Sequence, residues 1–266
     1  EPLTPPIARN PNLSPRLGEF LERCLAKSPN ERFQSFDEVC QQLEQSALGS
    51  PWDAWTDEGL APYLTRYQQR RAIYLERRAE LTEPDVYEFR GGRRLVVVAG
   101  NMVHQKVDVL VSSEDGNLTM GETLPNPQGV AASLRRAAGP DYVREARRFI
   151  PVRPGRVVVT PAGNLPARFV FHGITLEGPV ENRVCPSRDL ICEILASCFY
   201  LADSLYVQTM AFPLLGTGTG GFSQEVCLDT MFRYLARMLL RGLTSVKETR
   251  IVLYVPEAGP ADVRES

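Results

Sequence analysis

From about residue 85 onward, short β-rich runs alternate with amphipathic helical patterns, and this alternation leaves few architectures open. The strand candidates are VYEFR (86–90), RLVVVA (94–99), VDVLVS (107–112), RVVVT (156–160), RFVFHGI (168–174), TMAFPLL (209–215) and RIVLYV (250–255). The helix candidates are GVAASLRRAA (129–138), PDYVREARRF (140–149), DLICEILASCFYLADSL (189–205) and QEVCLDTMFRYLARMLL (224–240). Apolar β-branched runs interleaved with helices put helices on both faces of a largely buried sheet, which predicts an α/β layer fold. At 266 residues the chain is long enough to bury a sizeable core.

The sixth strand candidate runs into FPLLGTGTGGF (212–222), where four glycines fall within six positions before a helical pattern resumes at Ser223. Glycine lacks the Cβ that blocks close approach, so such a loop can present several backbone N–H groups to a phosphate. The alternative is a plain tight turn. In α/β sheets ligands bind at the carboxyl ends of strands, which is where this loop lies.

Charge and composition exclude several classes. The formal net charge is −2, so no global field recruits nucleic acid. No apolar run approaches the roughly 20 residues of a membrane span, and no signal peptide opens the chain. The first residue is Glu1, the mark of a fragment or a processed chain. Cys24, Cys40, Cys185, Cys192, Cys198 and Cys227 form no C-x-x-C pair and sit in apolar helical patterns. They read as reduced and buried, without metal, which points to the cytoplasm.

Residues 1–48 read as two helices, one from an N-cap at Ser14 carrying Leu17, Phe20, Leu21, Cys24 and Leu25 on one face, and one from Ser35. In the second, Glu38 completes a capping box and Phe36, Val39, Cys40 and Leu43 point inward. The string LGEFLERCLAKSPNERFQSFDEVCQQLEQ resembles the closing helices of a Ser/Thr protein kinase domain, through Leu25, Lys27, Pro29, Arg32 and Phe33. That resemblance implies packing on a missing kinase domain and an arginine, Arg32, whose usual glutamate partner lies upstream. The kinase nucleotide and catalytic motifs are absent, so this chain is no kinase. Residues 49–84 form a helical connector with Leu60, Leu64, Tyr67, Tyr74 and Leu75 on one side. Its arginine doublets, Arg70–Arg71 and Arg77–Arg78, read as a solvated face, since Glu76, Glu80 and Glu83 interleave with them.

Residues 93–256 resemble a macro domain, the ADP-ribose-binding module, on the ordered set VDVLVSS with Leu118, GVAASLRRAAG and FPLLGTGTGGF. The resemblance implies a three-layer α/β/α fold with a mixed sheet over 85–258, preceded by the N-terminal helical segment and followed by a tail at 259–266. It implies that Gly216, Thr217, Gly218, Thr219, Gly220, Gly221 and Phe222 wrap the diphosphate and distal ribose, with Gly129 and Val130 closing the other side. Ser113 belongs to the matched strand end. Asn101, with Met102 and Tyr254, would frame the adenine, although Tyr254 reads equally as an edge-strand aromatic capping the core. The ligand is ADP-ribose, free or on a protein, with no further cofactor.

Departures from the family pattern bear on activity. Asn101 stands where an aspartate is usual, which removes a charge-assisted hydrogen bond of about 1 kcal/mol. Ser112, Ser113, Glu114 and Asp115 replace an Asn-Ala-Ala-Asn stretch, and an insertion, ETLPNPQ (122–128), reads as a mobile flap before Gly129. In the hydrolysing branch the orienting asparagine and aspartate match Asp115 and Ala131, and alanine cannot activate water. Glu114 and Asp115 are the only acidic pair near the pocket, either as a catalytic rescue or as a polar turn that caps the next segment. His172 reads as a core histidine and His104 as an exposed loop residue. The expected function is a reader of ADP-ribose, with an ADP-ribosyl hydrolase using Glu114 or Asp115 and a non-binding interaction module as alternatives.

Overall fold

The computed structural model describes residues 4–9, 15–35, 38–39, 59–122, 129–177 and 185–255, which divide between two compact units, Glu1–Glu58 and Gly59–Ser266. The first unit holds α1 (Pro6–Arg9), α2 (Pro15–Cys24) and a 3-10 turn at Pro29–Glu31. The Phe20 and Phe33 rings lie 5.2 Å apart, with the Arg23 guanidinium 4.3 Å above the Phe33 ring and paired to Glu38. Arg32 donates to the Ala26 carbonyl at 2.7 Å. The Ser35 hydroxyl accepts from the Glu38 N–H at 3.1 Å, as a capping box requires, while the Glu38 carboxylate takes the N–H of Gln34 at 2.9 Å. Leu25, expected inward, is exposed because α2 has ended at Cys24. Ser14, Phe36, Cys40 and Leu43 lie outside the described residues.

The second unit contains α3 (Ala61–Glu76), β1 (Asp85–Phe89), β2 (Arg93–Gly100), β3 (Val109–Asp115), α4 (Val130–Ala138), α5 (Pro140–Ala146) and β4 (Val157–Pro161). β5 (Phe169–Leu176), α6 (Arg188–Ser204), β6 (Thr209–Phe212), α7 (Gln224–Arg241) and β7 (Glu248–Tyr254) complete it. Every expected strand and helix from 85 onward is present. The sheet runs β1-β2-β7-β6-β3-β5-β4, with antiparallel strands at both edges and parallel pairing in between. It is the mixed sheet of a three-layer α/β/α sandwich.

Strand alternation sorts the core into two faces. Leu110, Val170, Ile174, Ala211 and Val252 pack with Leu134, Ala138 and Tyr142 of α4 and α5. The alternate residues, Val109, Val111, Phe171, Met210, Phe212, Ile251 and Leu253, are buried on the opposite face. There α6 lies so close to β5 that a Cβ on Gly173 would come within 2.7 Å of Ile194. Because both faces are covered, interior strands are near-continuous apolar runs. Ser187 and Ser223 accept N–H groups of the first turns of α6 and α7 at 3.2 and 3.4 Å, and Gly242 in the left-handed region closes α7.

α3 packs on α7. Leu60, Tyr67 and Tyr74 are fully buried, the Tyr67 ring stacks on Phe232 at 4.1 Å, and the Tyr67 hydroxyl donates to Asp229 at 2.6 Å. The arginine doublets are not a plain solvated face. Arg70 pairs with Asp85 at 2.7 Å, and Arg71 with both Glu225 and Asp229, because carboxylates of β1 and α7 face the helix as well as those interleaved in its own sequence. Cys192, Cys198 and Cys227 are buried within helices, whereas Cys185 is exposed in the loop before α6, outside any helix. Burial pushes the Cys192 thiol up to about 11 and the Cys227 thiol up to about 12. No described helix is long and apolar enough to cross a membrane.

Candidate functional site

The parallel strands all deliver their carboxyl ends to one side of the sheet, and a cavity of about 640 Å³ opens there. Its position follows from connectivity. The chain leaves β3 toward α4 and α5 on one face and leaves β6 toward α7 on the other, so a crevice opens between these adjacent strands.

One wall is the glycine loop. Gly216 has φ +72° and donates its N–H to the Ser113 hydroxyl at 3.0 Å, which ties the loop to the end of β3. Phe222 and Gly221 donate back to the carbonyls of Gly216 and Gly218 at 3.1 and 3.0 Å, folding the loop on itself. Among the described residues, the N–H groups of Thr217, Gly218, Thr219 and Gly220 donate to no protein acceptor. A Cβ on Gly220 would stand 2.4 Å from the Gly216 carbonyl oxygen and 2.9 Å from Pro186, so glycine is required there by space. Gly218 has nothing within 4 Å of such an atom and is glycine without packing need.

The facing wall is the start of α4. Gly129, at φ +92°, is its N-cap and offers no side chain to the first turn, so the donors of that turn stay open toward the cavity beside Val130 and Ala131. Two helix starts and a loop of unpaired amides therefore converge on one space, a favourable environment for an anion.

The turn after β3 forms the floor. Leu118 and Met120 occupy the left-handed region, at φ 48° and 52°, with side chains wholly buried in the core. That conformation turns Asn117, Thr119 and Gly121 to the cavity. The Asp115 carboxylate holds the turn, accepting from Asn117 N at 2.9 Å and from both the N–H and the hydroxyl of Thr119. Glu114 lies behind the strand, 3% exposed, accepting from the Ser112 hydroxyl at 2.6 Å. Beside it the buried His172 bonds the Thr160 hydroxyl through Nε2 at 2.9 Å, and its Nδ1 lies 3.7 Å from Glu114.

At the other end Met102 is buried under the cavity, and Val252, Pro213, Leu214 and the half-exposed Tyr254 form an apolar slot. Tyr254 ends an interior strand, so the edge-strand reading does not apply to it. Asn101 caps the 3-10 turn at Met102–His104, its Oδ1 accepting from Val103 N at 3.2 Å.

The structure thus brings Met102, Ser113, Glu114, Asp115, Gly129, Val130, Gly216, Thr217, Gly218, Thr219, Gly220 and Tyr254 to one cavity, and leaves Asn101, Gly221 and Phe222 outside its lining. Sequence reasoning missed Thr175, Pro151, Arg78 and Gln224, which also line it. Thr175 reaches Ser113 at 3.0 Å because the β3–β5 register shifts between Glu114 and Asp115, for which the residues carry no signal. The insertion at 123–128 lies outside the described residues; Glu122, at its start, pairs with Arg135 and Arg147.

An amide-lined crevice with an apolar slot beside it, at the switch point of the parallel strands, is where an α/β module of this kind takes a ligand. The profile of the macro domain matches residues 117–231. A macro domain-containing protein of Caldanaerobacter subterraneus subsp. tengcongensis, TTE0995, is 32% identical over 168 residues, covering 60% of this chain and 89% of that protein. An O-acetyl-ADP-ribose deacetylase of Enterobacter cloacae is 32% identical over 151 residues, covering 53% and 78%. Among solved structures, a mutant of the Oceanobacillus iheyensis macrodomain with ADPR superposes with a TM-score of 0.52 at 20% identity, covering 66% of this chain and 91% of that one. The chain belongs to the macro domain family. These matches give no support to a kinase origin for residues 1–48.

Proposed function

We propose that this protein binds ADP-ribose, or the ADP-ribosyl group of a modified protein, as a reader. The observation that carries the reading is the set of unpaired amides at Thr217–Gly220 facing the open first turn of α4 across the cavity. The slot at Met102, Val252 and Tyr254 would take the adenine. With Asn101 engaged in its own turn, the adenine would be held by packing more than by a charged acceptor. Calorimetric titration with ADP-ribose tests this directly, and no heat up to millimolar ligand would sink it.

A second reading, hydrolysis of an ADP-ribosyl or O-acetyl-ADP-ribose ester, draws on the deacetylase relative. Against it stand Ala131 where water would need a carboxylate, Glu114 packed behind β3 and Asp115 occupied by its own turn. Release of ADP-ribose from a mono-ADP-ribosylated protein separates the two. Multiple turnovers by wild type, abolished in Glu114→Ala or Asp115→Ala proteins that still bind ligand, would make it an eraser. Attachment to a kinase-derived segment is a proposal resting on the string at 17–45 alone, as is a cytoplasmic location on the reduced cysteines.

A further inference from the structure

We propose that Arg78, contributed by the helical extension outside the matched family segment, grips the diphosphate of the bound nucleotide. The inference rests on the ADP-ribose reading above. α3 and α7 run antiparallel: Tyr67 meets Asp229 and Phe232, Arg71 meets Asp229 and Glu225, and Arg78 meets Gln224. Each step forward along the extension is a step back along α7, so Arg78 arrives at the N-terminal end of α7, where the glycine loop feeds in. Arg78 and Gln224 both line the same cavity as Thr217, Gly218 and Thr219.

The guanidinium is held but not satisfied. Its Nη2 donates to the Leu75 carbonyl at 3.1 Å and to the Gln224 side-chain oxygen at 2.6 Å, which fixes its plane. Nε and Nη1 make no hydrogen bond among the described residues. The other three arginines of the two doublets each have a carboxylate partner, Arg70 with Asp85, Arg71 with Glu225 and Arg77 with Glu80, whereas Arg78 has none among the described residues. Among the described residues it is also the single cation in the cavity lining. A planar, pre-positioned cation with open donors beside a row of open amides fits a diphosphate better than a sugar or a base, since guanidinium binds phosphate oxygens in pairs. The plainer reading is a staple that ties α3 to α7, and it predicts an effect on melting with no preference among ligands.

The test is calorimetry on the full chain as wild type, Arg78→Gln and Arg78→Lys, each titrated with ADP-ribose, ADP and adenosine at low and high salt. Arg78→Gln should weaken ADP-ribose and ADP about tenfold and equally, leave adenosine unchanged, and flatten the salt dependence. Arg78→Lys should recover part of the loss by restoring the charge without the fork. Arg78→Gln binding ADP-ribose within twofold of wild type overturns the inference alone. So does a loss that extends equally to adenosine, which would mark a staple. Wild type that binds none of the phosphate ligands overturns the inference and the reading beneath it.

Discussion

Within the glycine loop, residues that look alike do different things. Gly218 faces open space, so Gly218→Glu should leave the fold intact and put a like charge among the amides; ADP-ribose affinity should fall at least a hundredfold with melting unchanged. Gly220→Ala should act the other way round, since its Cβ would meet the Gly216 carbonyl oxygen at 2.4 Å and distort the loop before any ligand arrives. Measuring affinity and melting for both separates the roles; equal melting losses would contradict the distinction. Asp115 is a second case. Its carboxylate accepts three hydrogen bonds from a turn that holds Leu118 and Met120 in the left-handed region, so Asp115→Ala should cost about 2 kcal/mol in urea unfolding and Asp115→Asn clearly less. Equal losses would show that the charge, not the acceptor geometry, matters.

Among the elements, α3 is the one whose role composition concealed. Its sequence offers arginines and tyrosines in equal measure, and only the partner helix decides which are buried. Tyr67 stacks on Phe232 and donates to Asp229, with the Arg71 guanidinium ion-paired to the same carboxylate at 3.2 Å. Tyr67→Phe should therefore lower stability by about 1–2 kcal/mol, since Asp229 loses its hydrogen-bond donor among the described residues while the ring contact survives. A chain beginning at residue 85 should melt well below one beginning at residue 59, because α7 would expose the face that Tyr67 and Tyr74 cover. Comparable melting of the two would show α3 to be an ornament.

For the molecule as a whole, every described residue lining the cavity belongs to the second unit, so a protein lacking residues 1–58 should bind ADP-ribose as the full chain does. Altered affinity in that truncation would reveal a contribution from the first unit. Burial raises the phenol pKa values of Tyr67, Tyr74 and Tyr234 far above normal. The native state keeps these protons while the unfolded chain releases them near its ordinary value of about 10, so their stabilisation is full below that pH and lost above it. Stability in urea should begin to fall near pH 8.5, where the unfolded chain releases the thiol protons that burial retains on Cys192, Cys198 and Cys227, and fall more steeply above about pH 10 as the phenols join, by up to about 1.4 kcal/mol per pH unit for each group. A flat profile to pH 11 would mean these groups reach water.

The order of strands and helices from 85 onward was legible because period-2 and period-3.6 patterns are local, and the glycine loop was legible because four glycines within six positions stand between a strand and a helix. The cap at Ser35 with Glu38 was legible for the same reason, as it acts within three residues. The parts that sequence could not supply all depend on which segments become neighbours. That Glu114 turns into the core while Ser113 meets the glycine loop is set by sheet register, and Thr175 enters the cavity through a register shift. That Arg78 reaches the rim is set by the antiparallel docking of α3 on α7, far from it in the chain. Local chemistry determined the list of elements and the place of the glycine loop among them; the packing of distant segments decided which side chains face the cavity, because burial and pairing are properties of contacts that no short stretch contains.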